Sequence, residues 1–162
     1  MYLCRLKLDS GRRFSFYVDG KDKVTAHFTM DETINKSCKA AVKAVFTERS
    51  LTFLRLREDF RNDYYAKYKR SMPCTSCYRE ANYNKLIGGI SDSKHLDMLA
   101  ADLKTGQPVT DEVFDWCKAE CEKLMVKYHT VMELGRYNDP DRIHIGMDIT
   151  YSDKLYTFDK RK

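Results

Sequence analysis

The spacing closest to a recognisable chemistry belongs to four cysteines, Cys74 and Cys77 in Cys-Thr-Ser-Cys and the pair Cys117 and Cys121. Two thiolates on a tight turn after Pro73 and two more on one side of a helix can complete a tetrahedral zinc shell. Zinc on Cys74, Cys77, Cys117 and Cys121 is therefore the expected cofactor. The alternative is packing, because Cys117 and Cys121 fall in an apolar stripe where cysteine is an ordinary small core residue. A redox role for Cys74 and Cys77 lacks the βαβ context of thioredoxin-like sites.

A second pattern interleaves basic and aromatic residues from Arg55 to Lys85: Arg55, Arg57, Arg61, Tyr64, Lys67, Lys69, Arg70 and Arg79, with Tyr65, Tyr68, Tyr78 and Tyr83 among them. Lysine and arginine neutralise phosphates with release of counterions, and tyrosine hydrogen-bonds phosphates or stacks on bases. Charge is unevenly spread. Residues 35–70 hold ten basic side chains, Lys36, Lys39 and Lys43 among them, against four acidic ones, whereas residues 91–135 hold nine acids against five lysines. One face is thus expected to attract polyanions. Against this, Tyr64 and Tyr68 on one helical face also suit a core.

A third candidate is a polar sheet face carrying Arg5, Lys7, Arg13, Ser15, Tyr17, Thr25 and His27, with His144, Asp148 and Thr150 beside it. If His27, His144 and Asp148 met, they would offer acid–base chemistry, although exposed sheet faces carry such residues without catalysis. His95 and His129 fall on expected helices and read as solvent-facing or capping. The chain has no phosphate-binding glycine loop, nucleophile elbow, His-Glu-x-x-His pair or Rossmann fingerprint, so a catalytic role is not indicated.

The elements that must position these residues begin with three strands, where apolar side chains alternate at Tyr2/Cys4/Leu6/Leu8, Phe14/Phe16/Val18 and Val24/Ala26/Phe28. Turns at Asp9-Ser10-Gly11 and Asp19-Gly20 separate them. Thr29 or Asp31 caps a helix through Cys38, Ala41, Val42 and Val45 to about Arg49, and a second helix runs from Leu51 to Tyr68. Pro73 ends the helical geometry. A short helix from Ser91 to Lys104 carries Leu96, Leu99 and Leu103. Thr110 caps a long one through Phe114, Cys117, Cys121, Leu124, Tyr128 and Val131 down to Gly135. Strands follow at Ile143–Tyr151 and Leu155–Phe158, around Ser152-Asp153.

The fold class is therefore α+β: one antiparallel sheet formed by an N-terminal three-stranded meander and a C-terminal hairpin, with the helical middle segment on one face. A chain of 162 residues fits a single domain, with the meander at 1–30, the helical segment at 31–137 and the hairpin at 141–162. Arg5 and Lys7 interrupt the first apolar residues and no transmembrane run follows, so a cytoplasmic chain with reduced cysteines is expected. Small, rich in lysine, aspartate and tyrosine and poor in proline, the chain resembles in texture the early proteins of large tailed phages, which implies binding of DNA or host machinery.

The function expected from these residues is non-catalytic binding of nucleic acid, duplex DNA with weak sequence preference, because dispersed cations supply phosphate contacts and no recognition helix presents a set for base edges. The alternative is a regulator or inhibitor whose partner is another protein. A small hydrolase or nuclease is the third reading.

Overall fold

The computed structural model describes residues 1–34 and 44–161. The alternation at the N-terminus forms β1 (Tyr2–Lys7) and β2 (Arg13–Val18), antiparallel with Cys4 opposite Phe16. Gly11, at φ 83°, makes the turn between them, a conformation that costs other residues far more. Thr29 and Glu32 form a capping box for the one-turn α1 (Met30–Thr33). The strand β3 (Ala44–Thr47) joins β1 in parallel. Thr47 and Ser50 then cap α2 (Glu48–Tyr68), which buries Phe53, Leu54, Leu56, Phe60 and Tyr64.

Past Pro73 come β4 (Cys74–Ser76), α3 (Ala81–Leu86), a 3-10 turn (Lys94–Asp97) and β5 (Ala100–Lys104). Thr110 caps α4 (Asp111–Tyr128), and β6 (Met132–Arg136), β7 (Arg142–Met147) and β8 (Tyr156–Asp159) complete the chain. Two sheets result, one ordered β2-β1-β3 and the other β4-β5-β7-β6-β8. Along β7 and β6, Ile143, Ile145, Met147, Met132 and Leu134 are fully buried with Phe114, Cys117, Cys121 and Leu124 of α4, in a core that continues through α2 to Cys4. Among the described residues, no helix is long and apolar enough to cross a membrane.

The class is α+β as expected, but the expected sheet divides in two. The meander's third strand is replaced by β3, because residues 24–28 bend back on Glu58 through Thr25 and His27. The C-terminal strands form no hairpin: β6 lies between β7 and β8, antiparallel to the first and parallel to the second. Of the helix expected up to Arg49, the described residues show the turn Met30–Thr33. Cys38, Ala41 and Val42 lie outside the described residues, and Val45 is in β3.

The helix expected at Ser91–Lys104 stops at Met98, whose φ of 58° is left-handed, and the rest is β5. As a strand buried on both faces, Ala-Ala-Asp-Leu-Lys does not show the alternation of a half-exposed strand. The long helix ends at Tyr128, with His129 left-handed, rather than at Gly135, which belongs to β6.

Candidate active site

Strand register builds the site. Side chains two residues apart leave a strand on the same face, and across β5, β7, β6 and β8 the face away from α4 presents three parallel rows. The middle row is Asp102, His144, Gly135 and Phe158. On one side lie Ala100, Gly146, Glu133 and Tyr156. On the other, Lys104 pairs with Arg142, and Tyr137 and Lys160 continue β6 and β8. From these rows Asp102, His144 and Phe158, Glu133 and Tyr156, and Arg142, Tyr137 and Lys160 line a cleft of about 620 Å³.

Two glycines make room for this arrangement. A Cβ on Gly146 would stand 2.6 Å from Glu133 Oε1, and one on Gly135 would collide with the Phe158 ring. Neither glycine has a positive φ, so its role is space and not backbone freedom. The missing side chains let Glu133 reach His144 and let Phe158 cover the middle row beside the His144 ring.

His144 donates from Nδ1 to Asp102 Oδ1 at 3.0 Å and from Nε2 to Glu133 Oε1 at 2.8 Å. His95, from the 3-10 turn, donates from Nδ1 to the Cys77 carbonyl at 2.7 Å and points Nε2 at Asp102 Oδ1, 3.6 Å away. The other oxygen of Asp102 takes Arg79 Nη2 at 2.5 Å, and Arg79 Nε donates to Ser76 Oγ at 2.8 Å. Tyr151 donates its hydroxyl to Glu133 Oε2. Thus each carboxylate in the cluster turns one oxygen to a histidine and the other to a positioning side chain.

The electrostatics follow. Burial would push the His144 imidazole down, but its bonds to Asp102 and Glu133 prevail and it is pushed up to about 9. His95 is lowered, because burial outweighs its interaction with Asp102. Burial pushes the Asp102 and Glu133 carboxyls up, yet their histidine partners outweigh it and hold both below the ordinary range.

His95, Asp102 and His144 are the one group of three or more metal-ligating side chains that comes together among the described residues, with their donor atoms within 4.8 Å of one another. A tetrahedral zinc shell with bonds of about 2.0–2.2 Å sets neighbouring donors about 3.3–3.6 Å apart; the 3.6 Å between His95 Nε2 and Asp102 Oδ1 meets that spacing, and the 3.0 Å between His144 Nδ1 and Asp102 Oδ1 is a few tenths shorter, the length of their direct hydrogen bond. The supporting bonds fit too. Nδ1–H of His95 on a backbone carbonyl leaves Nε2 to ligate, and Nε2–H of His144 on Glu133 leaves Nδ1 to ligate once an ion displaces the proton it shares with Asp102. A buried His-Asp-His set beside a further carboxylate at a cleft floor is the arrangement of a metal-dependent hydrolase.

Residues 26–146 match the model of the family Peptidase M15, and the chain belongs to that family. All four residues of the cluster lie in the matched segment. Neither the curated proteins nor the solved structures give a match. Membership overturns the reading as a non-catalytic binder of duplex DNA, and with it DNA as the partner; the regulator reading goes with it. The family's peptidases are zinc-dependent, so the expectation of zinc agrees with the family, and the His95, Asp102 and His144 group is compatible with it.

No three of Cys74, Cys77, Cys117 and Cys121 share an ion site. All four are buried, and burial pushes the Cys74 and Cys117 thiols up to about 12 and the Cys121 thiol well up. They pack in the core. The residues assigned to nucleic acid divide. Arg55, Lys67, Lys69 and Arg70 are exposed and Arg61 is half-buried, whereas Tyr64 is buried and donates to the Thr105 carbonyl at 2.9 Å. Arg57 is fully buried, with Nη2 on Thr33 Oγ1 at 3.1 Å and its guanidinium over Phe28. Arg79 holds Asp102. Lys36, Lys39 and Lys43 lie outside the described residues.

Nor do His27, His144 and Asp148 meet. His27 pairs with Glu58, and Asp148 pairs with Arg49 and Thr130. His95, expected to face solvent, is 3% exposed. Sequence reading missed His95, Asp102 and Glu133 because all three sat on segments read as helix. The available signal was a histidine and an aspartate seven positions apart, the latter in an otherwise apolar run, with His144 far downstream.

Proposed function

We propose that this protein is a zinc-dependent peptidase that hydrolyses an amide bond in the cleft over β7 and β6. The observation that carries the reading is the convergence of His95 Nε2, Asp102 Oδ1 and His144 Nδ1 at a cleft floor with Glu133 beside them. His95, Asp102 and His144 would hold the ion, which when bound supplies a Lewis acid that polarises the scissile carbonyl and lowers the pKa of water.

The chain's own groups do the rest. Arg79 fixes Asp102 from behind through Oδ2, so that Oδ1 faces the histidines. Glu133, kept ionised by His144 and Tyr151, accepts a proton from the attacking water and returns it to the departing amine, the general acid–base role of a positioned carboxylate. Tyr151 is a positioning residue: its hydroxyl engages Oε2 and leaves Glu133 one arrangement. The substrate is a peptide, and the D-Ala-D-Ala peptides of peptidoglycan are the first to try.

Glu133→Gln is expected to keep zinc and lose about 10²–10⁴-fold in hydrolysis, whereas His144→Ala is expected to lose the metal. Elemental analysis and peptide hydrolysis by zinc-supplemented protein check both. Wild-type protein that neither retains zinc nor cleaves any peptide would remove the proposal.

A further inference from the structure

Arg57, halfway along α2, is fully buried and takes no part in the chemistry above. Its Nη2 donates to Thr33 Oγ1 at 3.1 Å and its Nη1 to Cys74 Sγ at 3.6 Å, and the guanidinium lies over the Phe28 ring, 4.0 Å from the centroid. Nε has no hydrogen-bond partner among the described residues. Arginine stays protonated in proteins, so this is a cation in the core. Among the described residues no carboxylate pairs with it, and residues 35–43, which lie outside them, contain no aspartate or glutamate. The Cys74 thiol supplies no charge either, because burial pushes it up to about 12.

Such a group does not stabilise a core. A charge buried without a partner is costly, and replacing buried ionic groups by hydrophobic ones of similar volume is often neutral or stabilising. Nor do its two acceptors depend on it. The Thr33 hydroxyl donates to the Thr29 carbonyl at 3.0 Å, and the Cys74 thiol to the Ser76 carbonyl at 3.4 Å. The reason for an arginine here lies in what its fork holds.

The fork grips both ends of one segment. Nη1 takes Cys74 at the start of β4, and Nη2 takes Thr33, whose carbonyl accepts the Tyr78 N–H at 2.8 Å just past the end of β4. Between and beside these grips lie the bonds that orient two of the proposed zinc ligands. The Cys77 carbonyl accepts Nδ1–H of His95 at 2.7 Å, and the Arg79 N–H donates to the His95 carbonyl at 2.9 Å. Ser76 Oγ accepts Arg79 Nε at 2.8 Å behind Asp102, and Thr75 Oγ1 donates to the Asp102 carbonyl at 3.2 Å. Strand pairing alone anchors this segment weakly, since β4 has three residues and its register on β5 shifts between Cys74 and Ser76.

We infer that Arg57 is a positioning residue for the proposed metal site: its guanidinium clamps Cys74 and Thr33, so that residues 75–79 hold His95 and Asp102 in ligating orientation before an ion arrives. The inference rests on the zinc reading and deepens it. A planar fork with fixed donors holds two acceptors at once, which a lysine ammonium on a flexible stem does not.

The test compares wild type with Arg57→Met, which keeps most of the volume and removes the charge, and Arg57→Lys, which keeps the charge and loses the fork. Three quantities are read: the urea midpoint of the metal-free protein, the zinc dissociation constant of the folded protein by chelator competition, and solvent exchange of the His95 Nδ1–H proton by nuclear magnetic resonance without metal. Arg57→Met is expected to unfold at the wild-type midpoint or above it. It is expected to bind zinc about 10–100-fold more weakly, the usual effect of removing a group that orients a ligand, and to lose the slow exchange of the His95 proton. Arg57→Lys is expected to bind zinc with an affinity between the two.

A lowered midpoint with wild-type zinc affinity would make Arg57 an ordinary core residue and overturn the inference. Failure of both variants to fold would overturn it as well. Where stability and affinity fall together the His95 proton decides: protection lost in folded Arg57→Met upholds the clamp, and protection retained overturns it. If wild type binds no zinc, the peptidase reading falls by itself, and the same proton, read without metal, still upholds or overturns the clamp.

Discussion

Ile143, Ile145 and Met147 leave β7 on one face, and Arg142, His144 and Gly146 leave it on the other. Both faces are buried, but different physics holds them. Under α4, stabilisation scales with apolar area, about 1.5–3 kcal/mol per fully buried side chain of this size, and a hydrophobic substitute of similar volume is tolerated. On the cleft face nearly every group depends on a named partner: Asp102 on Arg79 and His144, Glu133 on His144 and Tyr151. One face can be rebuilt piecemeal, whereas the other works as a set.

The sharpest test of that contrast is Ile145→Ala. It opens a cavity under α4 and is expected to lower unfolding free energy by about 2–5 kcal/mol, read from urea melts, while zinc content per folded molecule stays at the wild-type value. Loss of zinc at full stability would mean that the two faces are coupled and the comparison fails.

Next comes Gly146→Ala, a single methyl on the cleft face. It meets Glu133, so Glu133 must give up His144. Overpacking of this kind costs about 1–3 kcal/mol, and hydrolysis is expected to fall by well over tenfold with zinc retained. Unchanged kcat would show that Glu133 acts without its hold on His144.

The smallest effect lies outside both faces. Burial pushes the Glu58 carboxyl up, but hydrogen bonds from Thr25 and His27 outweigh it and leave it below its ordinary value. A depressed carboxyl contributes stability above its unfolded pKa of about 4.3, and that contribution is lost as pH falls through the lower folded value. Glu58→Gln is expected to cost under about 1 kcal/mol at pH 7. The difference from wild type should shrink in melts below about pH 4. A difference independent of pH would assign Glu58 a packing role instead.

Much of the scaffold was legible from residue type and order. Alternation at Tyr2/Cys4/Leu6 and Phe14/Phe16/Val18 defined β1 and β2, Thr110 marked the start of α4, and the mixed class followed from the order of strand-like and helical stretches. These are local properties, set by side-chain period and capping chemistry, which do not depend on distant partners.

Strand neighbours and the site were decided elsewhere. The run Ala100–Lys104 reads as part of a leucine-spaced helix until β4 and β7 flank it, and Gly135 reads as a helix stop until Phe158 needs its space. The Cys117 and Cys121 pair has ligand spacing, but α4 turns both into the core. By itself the sequence determined the α+β class and a set of chemically capable side chains. Only the tertiary structure chose among them, because ligand geometry and cleft charge depend on register between strands far apart in the chain, and His95, Asp102, Glu133 and His144 become a site only when β5, β7 and β6 pair in that register.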